Sequence, residues 1–375
     1  MNLDNNEISN KNSDPKTNSW INYFLITMLV ISLIVAGFAL TKRYFSDNQE
    51  NSANEDLSEE DLKAKNNEFV QKVANKLDGT MVTAEKSRRH PLAIMVENHP
   101  ESRPQFGLDK ASLVYEAITE GGITRFMAIY GPNDASRVGP VRSARTYFTD
   151  WLLEFNAFYA HVGGNLDALE KIKKDRILDL DEFELGEKAY KRISRANEAI
   201  EHTMYTSTDD LYKSAKDKGW LINDSGFRSF NFKESEKTES STAQTVIIDF
   251  SLPSYKVKWT FNKDKNVYLR EMAGKAHLDA LTNEQLSASN VIIQSVERWE
   301  APTEAGEAGW AMKTTGSGKA KVFLNGNKIE ATWKKTSLTD RTTFYDSADK
   351  EIYFNPGSTW IEVVPPDVYK TISIE

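Results

Sequence analysis

Apolar and polar positions divide the 375-residue chain into parts of different character. A polar start is followed by one long apolar run, a charged stretch, and two regions in which short apolar runs alternate with polar turns. In order, these parts are residues 1–19, 20–40, 41–87, 88–233 and 245–365. Polar residues without an apolar period, 234–244, separate the last two. The pattern predicts a disordered tail, a single transmembrane helix, a linker and two globular modules.

The apolar run of residues 20–40 is long enough to cross a membrane. As a helix it would rise about 31 Å, against a hydrocarbon core of about 30 Å. A cleaved signal peptide is the alternative, because Gly37 and Ala39 offer small residues for cleavage. The run is longer than the roughly 7–15 residues usual for a signal core, which favours a retained anchor. In the linker, Val73 and Leu77 belong to a weak helical period that predicts an exposed helix.

The first module, residues 88–233, combines strand and helix patterns. Short apolar runs at its start predict strands at residues 92–96, 112–119 and 124–130. Gly121-Gly122 suits a hairpin turn, because glycine adopts positive φ at little cost. Gly139-Pro140 predicts the start of a helix, and residues 158–162 predict a further strand. The order of a strand, a helix and a strand predicts a βαβ unit with parallel pairing, so the expected fold class is α/β with a mixed sheet.

The second module, residues 245–365, consists mainly of short strand patterns separated by turn signals. The clearest signal is Asn325-Gly326, a two-residue hairpin turn flanked by alternating apolar and polar residues. We therefore expect a mostly antiparallel β module that folds separately from the first.

Charge and cysteine content narrow the possible functions. The formal net charge is −8, which argues against a nucleic-acid partner bound through its phosphates. The chain has no cysteine, which excludes disulfides, thiolate catalysis and a lipid-modified cysteine. Neither glycine pair fits a nucleotide-binding loop, and no cofactor is predicted.

Candidate binding residues are concentrated between residues 95 and 164, at the edges of apolar runs. They are Glu97, Asn98, Arg103, Glu116, Glu120, Arg125, Arg142, Ser143, Arg145 and His161. Arg142 and Arg145 are expected on one face of the first turn of the helix, where free backbone N–H groups favour an anion. A carboxylate, phosphate or sulfate would fit this cleft. The alternative is that the arginines pair internally with the glutamates.

The sequence offers less support for a catalytic or a metal-binding site than for anion binding. Glu116 and Glu120 could act as an acid–base pair on a glycan, with His161 as a general base. A triad of Ser143, His161 and a carboxylate lacks the usual nucleophile pattern. Glu198 and His202 are four residues apart, but no second ligand pair accompanies them, so no metal site is predicted.

The motifs resemble those of the YerB-like family, lipoproteins of Gram-positive bacteria with paired domains of unknown function. In the first module the resemblance involves Glu97-Asn98-His99, Arg103-Pro104-Gln105, Glu120 to Arg125, and Gly139 to Arg145. In the second it involves Tyr268-Leu269-Arg270, His277-Leu278-Asp279, and Gly357 to Ile361. The family usually has Asp at the position of Glu97, and a lipid-anchor cysteine that this chain lacks. The resemblance implies an envelope location, with the transmembrane helix in place of the lipid.

These observations predict a single-pass protein of the cell membrane with a short cytoplasmic tail and an extracytoplasmic body. The expected function is that of an envelope binding or scaffold protein with an arginine-lined cleft for an anionic ligand or partner. A cell-wall component or a wall-synthesis protein would be that partner. The alternative is an envelope hydrolase that cleaves a glycan or ester through carboxylates and a histidine.

Overall fold

The computed structural model divides the chain into two units, Met1–Val70 and Gln71–Glu375. The residues that it describes are 27–29, 31–32, 35–42, 72–195, 198–221, 223, 226–234, 236, 241–303, 306 and 309–375. Those in the first unit are helical. The predicted tail, much of the predicted anchor and most of the linker lie outside the described residues. Among the residues described, no helix is both long enough and apolar enough to span a membrane.

The second unit is rich in strands. They are β1 (Lys72–Ala74), β2 (Met81–Thr83), β3 (Leu92–Glu97), β4 (Leu113–Ile118), β5 (Thr124–Tyr130), β6 (Phe158–His161), β7 (Leu178–Asp181), β8 (Tyr190–Arg192), β9 (Met204–Thr206), β10 (Thr245–Asp249), β11 (Lys256–Asn262), β12 (Val267–Met272), β13 (Lys275–Ala276), β14 (Ser287–Ala288), β15 (Asn290–Ser295), β16 (Arg298–Glu300), β17 (Trp310–Met312), β18 (Gly316–Leu324), β19 (Asn327–Lys335), β20 (Thr343–Tyr345), β21 (Thr359–Val364) and β22 (Ser373–Ile374). The α-helices are α1 (Ala84–Ser87), α2 (Thr146–Leu152), α3 (Leu166–Lys174), α4 (Glu182–Leu185), α5 (Thr208–Asp217) and α6 (Pro366–Lys370).

A ten-stranded mixed sheet forms the centre of this unit, in the order β20-β19-β18-β15-β21-β4-β5-β3-β6-β7. Side chains of a strand alternate between the two faces of a sheet, so a strand buried on both faces is apolar throughout. In β3, Leu92, Ile94 and Val96 belong to one core cluster, and Ala93 and Met95 to the other. Helices α2 and α3 contribute to the second cluster, whereas α5 and the smaller sheet of β10, β11 and β12 contribute to the first.

The predicted βαβ unit exists, but at a different place in the chain. Strands β5 and β6, which flank α2, are not neighbours, because β3 lies between them, antiparallel to β5 and parallel to β6. The parallel neighbours joined by a helix are β6 and β7, connected through α3. The fold class of a mixed α/β sheet is therefore confirmed. The predicted parallel crossover from β5 through α2 to β6 is wrong.

The predicted start of helix α2 was also wrong. The helix begins at Thr146, and the preceding residues are extended. The N–H groups of Val141, Arg142 and Ala144 are bonded to carbonyls of Met204, Met95 and Gly163, so they are not free at a helix terminus. Arg142 and Arg145 consequently do not share the first turn of a helix.

The two predicted modules share the central sheet. Strand β21 pairs in parallel with β15 on one side and with β4 on the other. This sharing argues against separate folding of residues 245–365 and residues 88–233. Among themselves, the strands of residues 245–365 pair mostly antiparallel, as predicted, and β15 with β21 is a parallel pair. The hairpin turns at Gly121-Gly122 and Asn325-Gly326 are confirmed by the antiparallel pairs β4–β5 and β18–β19. Val73 lies in β1 and Leu77 is buried, so the exposed helix predicted there is wrong.

Candidate functional site

Five strands of the central sheet run in the same direction: β3, β4, β6, β7 and β21. Strands β3 and β4 are both antiparallel to β5, β21 is parallel to β4, β6 is parallel to β3, and β7 is parallel to β6. Their carboxyl ends therefore meet at one edge of the sheet. In α/β folds, ligands bind in the crevice outside that edge. Glu97 ends β3, and His161 ends β6 at the same edge. This carboxyl edge is the candidate site.

Glu97 is almost fully buried and has several partners. Its Oε1 accepts hydrogen bonds from the backbone N–H groups of Asn98 at 2.8 Å and His99 at 3.0 Å. Its Oε2 lies 2.6 Å from Nε of Arg142 and 3.9 Å from Nη2 of Arg125. Burial alone would raise the pKa of Glu97, but the two arginines and the two backbone N–H groups lower it below its ordinary value. Glu97 is therefore an anion held by its surroundings.

Asn98 connects several of the predicted residues. Its side-chain amide donates to Oε1 of Glu116 at 3.2 Å and to Oγ1 of Thr124 at 2.6 Å. Its Oδ1 accepts from Nε of Arg103 at 3.0 Å and from Nε2 of Gln105 at 3.0 Å. All four hydrogen-bonding positions face a partner in the chain, so Asn98 is a structural junction beneath the carboxyl edge.

Glu116 takes part in a second, fully buried cluster. The guanidinium of Arg270 on β12 donates to Oε2 of Glu116. Glu362 on β21 is the register partner of Glu116, and its Oε1 accepts from Nε1 of Trp259 at 2.8 Å. Burial and the charge of Glu116 raise the pKa of Glu362 well above its ordinary value. Burial and the neighbouring carboxylate therefore both favour the protonated form of Glu362.

The guanidinium of Arg270 is enclosed by aromatic rings. Its centre lies 4.6 Å from the ring centroid of Trp360, 5.3 Å from that of Trp259 and 5.6 Å from that of Phe126. A buried charge of this kind is stable only while it keeps its carboxylate.

Glu120 and Arg145 form a two-pronged ion pair. Nε and Nη2 of Arg145 donate to the carboxylate at distances of 2.8–3.0 Å, and Nη1 donates to the carbonyl of Ala144 at 2.8 Å. Arg125 is buried beside them and donates to the carbonyl of Ser143 at 3.1 Å. Arg145 lowers the pKa of Glu120, although burial opposes this. Internal pairing, the alternative considered from the sequence, is therefore what the structure has for both groups.

His161 is fully buried and bonded at both ring nitrogens. Nδ1 lies 2.8 Å from the carbonyl oxygen of Gly163, and Nε2 lies 2.9 Å from Oδ1 of Asp179. A general base needs a free nitrogen within reach of a substrate proton. Both nitrogens of His161 are already engaged, one with the turn after β6 and the other with strand β7.

Arg103 joins the carboxyl edge to the part of the chain beyond residue 245. It donates to the carbonyl oxygens of Asn98 at 2.8 Å and Ser254 at 2.7 Å, and lies over the ring of Tyr255 at 5.1 Å. Burial lowers the pKa of Arg103 to about 10. With His277 it lines a groove of roughly 500 Å³ at the surface.

Comparisons with known proteins give matches over both halves of the chain. Residues 77–221 match the N-terminal domain of a protein family of unknown function, DUF3048, and residues 246–361 match its C-terminal domain. The chain belongs to the DUF3048 family. The curated protein "Putative lipoprotein YerB" of Bacillus subtilis is 29% identical over 306 residues, which cover 79% of this chain and 87% of that protein. The crystal structure of YerB from Bacillus subtilis matches with a TM-score of 0.71 and 28% identity, covering 81% of this chain and 99% of that one.

Three residues at the carboxyl edge were not among the site residues predicted from the sequence. His99, Glu101 and His202 come together there, with one possible ligand atom of each within 4.8 Å of the others. His202 was considered only with Glu198, but Glu198 is bound by Arg195, and residues 200–202 form a short 3-10 turn. The spacing of His99 and Glu101 after a buried strand was the available signal. Their partner lies about a hundred residues further along the chain, which no local pattern indicates.

Proposed function

We propose that the chain is a membrane-anchored binding protein of the cell envelope, and not an envelope hydrolase. The observation that supports this is the state of the acid–base candidates. Glu120 is held by Arg145, Glu116 by Arg270, and His161 by Gly163 and Asp179. Groups that are already paired at close distance are not free to exchange protons with a substrate.

A glycan hydrolase needs two carboxyl groups about 5–9.5 Å apart on either side of an open cleft, one of them with a raised pKa. The two carboxyl groups at the carboxyl edge, Glu97 and Glu120, have lowered pKa values. The carboxyl groups with raised pKa values, Glu362 and Asp279, have no exposure to solvent. The acid of such a mechanism would therefore be out of reach of a polymer.

The envelope location is supported by the relative described as a lipoprotein and by the apolar run of residues 20–40. We take the run to replace the lipid-anchor cysteine, which the chain lacks. A retained helix of this length holds a protein to the membrane more firmly than one acyl chain does.

The proposed ligand is an anionic group of a cell-wall polymer, and Arg142 is the arginine that would meet it. The side chain of Arg142 is 26% exposed, against 15% for Arg145 and 6% for Arg125. Its guanidinium is oriented by Glu97 on one side and by the carbonyl of Glu201, 2.9 Å away, on the other. An oriented guanidinium loses little entropy when it grips a carboxylate or phosphate at two points.

Co-sedimentation tests this proposal directly. Full-length protein in mild detergent is mixed with purified wall material, and with the same material after its anionic polymers have been stripped. We expect binding to the intact material alone, at least about tenfold weaker for Arg142→Ala, and unchanged for the exposed control Arg228→Ala. Equal binding of all three proteins would overturn the ligand assignment. Release of soluble wall fragments that depends on Glu120 would favour the hydrolase, and binding of a wall-synthesis protein instead of the polymer would identify the other partner class.

A further inference from the structure

We propose that His99, Glu101 and His202 form a binding site for a first-row divalent metal ion of the zinc class. This inference goes beyond the proposed function and does not depend on the ligand of Arg142. Two imidazoles and one carboxylate are a donor set that zinc proteins use with the remaining positions open. Imidazole donors favour such ions over Mg²⁺ and Ca²⁺, which prefer oxygen ligands.

The distances suit a site that closes around an ion. Nε2 of His202 and Nδ1 of His99 each lie 3.9 Å from Oε2 of Glu101. The two imidazole rings are stacked with their centroids 4.9 Å apart and their planes within 10°. Ligand atoms about 2.1 Å from a tetrahedral ion lie about 3.4 Å from one another. The cluster therefore needs a contraction of less than about 1.5 Å.

The part of the site that must be rigid is buried. The part that must move is held by one long hydrogen bond, from the backbone N–H of Glu101 to Nδ1 of His99 at 3.4 Å. His202 is buried and lies in a 3-10 turn whose neighbouring carbonyl, that of Glu201, accepts from Arg142 at 2.9 Å. The side chains of His99 and Glu101 are 33% and 56% exposed. They can therefore approach His202 by side-chain rotation without disturbing the core.

An independent observation points to a ligand at this place. Nδ1 of His202 is buried and has no hydrogen-bond partner among the residues that the structure describes, and the side chain is 6% exposed. The nearest carboxylate oxygen, Oε2 of Glu97, lies 3.8 Å away, slightly too far for a hydrogen bond. In metal sites a carboxylate commonly accepts from the ring nitrogen of a histidine whose other nitrogen binds the ion. A small contraction would give Glu97 that role.

Among the groups around the cluster, Glu101 is the carboxylate that is open to a cation. Glu97 lies between Arg142 and Arg125 and compensates one of their two positive charges. Glu101, in contrast, has no Lys or Arg within 4.0 Å in the described part of the chain, and its ion-pair contacts are the two histidines. Its carboxylate is available to an ion.

Titration of the full-length, chelator-treated protein with Zn²⁺ and Co²⁺ tests the site. We expect one equivalent to bind with a dissociation constant below about 10 μM, and a Co²⁺ visible spectrum of a nitrogen- and oxygen-ligated site. Excess Mg²⁺ or Ca²⁺ should not compete. The ligand variants His99→Gln and Glu101→Gln should each bind at least about 10-fold more weakly, whereas the exposed control Glu187→Gln should bind like the wild type.

His99 and Glu101 are exposed enough for their variants to fold, which circular dichroism would verify, so the test does not depend on the buried His202. Binding of no ion at 100 μM, or ligand variants that titrate like the control, would overturn the proposal. Glu101→Gln separates it from the wall-binding proposal, because that variant should lose the metal while it keeps polymer binding.

Discussion

Glu116 and Glu362 are register partners on the parallel strands β4 and β21, and both face the buried guanidinium of Arg270. Nη2 of Arg270 contacts Glu116, and its Nη1 lies 3.7 Å from Glu362. Two carboxylates and one arginine, all without solvent exposure, cannot all be charged at low cost. The proton on Glu362 leaves one negative and one positive charge in the cluster.

The first prediction concerns the replacement of Glu362 and Glu116 by glutamine, which has the shape of a protonated glutamate and no charge. Glu362→Gln should change the free energy of unfolding at pH 7 by less than about 1 kcal/mol or increase it, because folding raises the pKa of this carboxyl group and so favours its protonated form. Glu116→Gln should be more harmful, although Glu362 can ionise in its place. The double variant leaves Arg270 without a carboxylate and should lose about 3–5 kcal/mol. Urea denaturation of the four proteins gives the coupling energy, and a double variant as stable as Glu116→Gln would contradict the shared role.

The pH dependence of Glu362 has a definite sign. A group whose pKa is raised by folding contributes stability below its unfolded pKa, near 4.5, and loses that contribution as the pH rises through its folded pKa. The wild type should therefore lose stability relative to Glu362→Gln between pH 4.5 and the alkaline range. Urea midpoints measured from pH 4.5 to 9 check this, and a constant difference between the two proteins would exclude the raised pKa.

Glu97 should show the opposite behaviour. Its pKa is lowered by folding, so its contribution to stability is present above the unfolded pKa and is lost as the pH falls below about 4.5. Glu97→Gln removes the partner of Arg142 and Arg125 and should cost about 2–3 kcal/mol at pH 7. The cost should shrink in acid. Thermal melts at pH 7 and pH 3.5 test this, with Glu187→Gln as an exposed control that should show no such change.

Local patterns were sufficient for the elements that depend on neighbouring residues. Strands β3 and β5 and the β4–β5 hairpin follow from continuous apolar runs and two glycines, because a buried strand and a tight turn are specified within a few residues. The same reasoning found the polar residues at the carboxyl edge. It also considered internal pairing of the arginines with the glutamates, which the ion pairs Arg142–Glu97 and Arg145–Glu120 confirm. Glu116 is paired instead with Arg270, which was not among the predicted residues.

Elements that depend on distant residues could not be derived in this way. Gly139-Pro140 predicts the start of a helix, but the helix begins only at Thr146, because the backbone N–H groups of Val141 and Arg142 bond to the carbonyls of Met204 and Met95. Strand β21 was not predicted, and its position beside β4 is set by pairing across most of the chain. Arg270, Glu362 and His202 were missed as site residues for the same reason.

Attachment to the membrane is tested by fractionation. The full-length protein should sediment with membranes, resist extraction by high salt and be released by detergent, because the apolar run proposed as the anchor, residues 20–40, is long enough to span the hydrocarbon core as a helix. A chain lacking residues 1–44 should be found in the soluble fraction. Protease added to intact spheroplasts should digest the body, with a cytoplasmic protein as the protected control. A body that is protected until the cells are lysed would contradict the extracytoplasmic orientation.

The shared sheet leads to a prediction about fragments. Cleavage of the chain between residues 234 and 244 separates β1–β9 from β10–β22, yet β21 pairs with β4 and Arg270 with Glu116 across that division. The two fragments should therefore remain together on gel filtration and separate in denaturant. Residues 245–375 produced alone should lack stable structure, because the edge of β21 that pairs with β4 would be exposed and Arg270 would lose its carboxylate from β4. Mixing the two denatured fragments and removing the denaturant should restore the melting transition of the nicked protein. A separately produced second fragment with its own cooperative melt and dispersed amide spectrum would show instead that the two halves fold independently and dock afterwards.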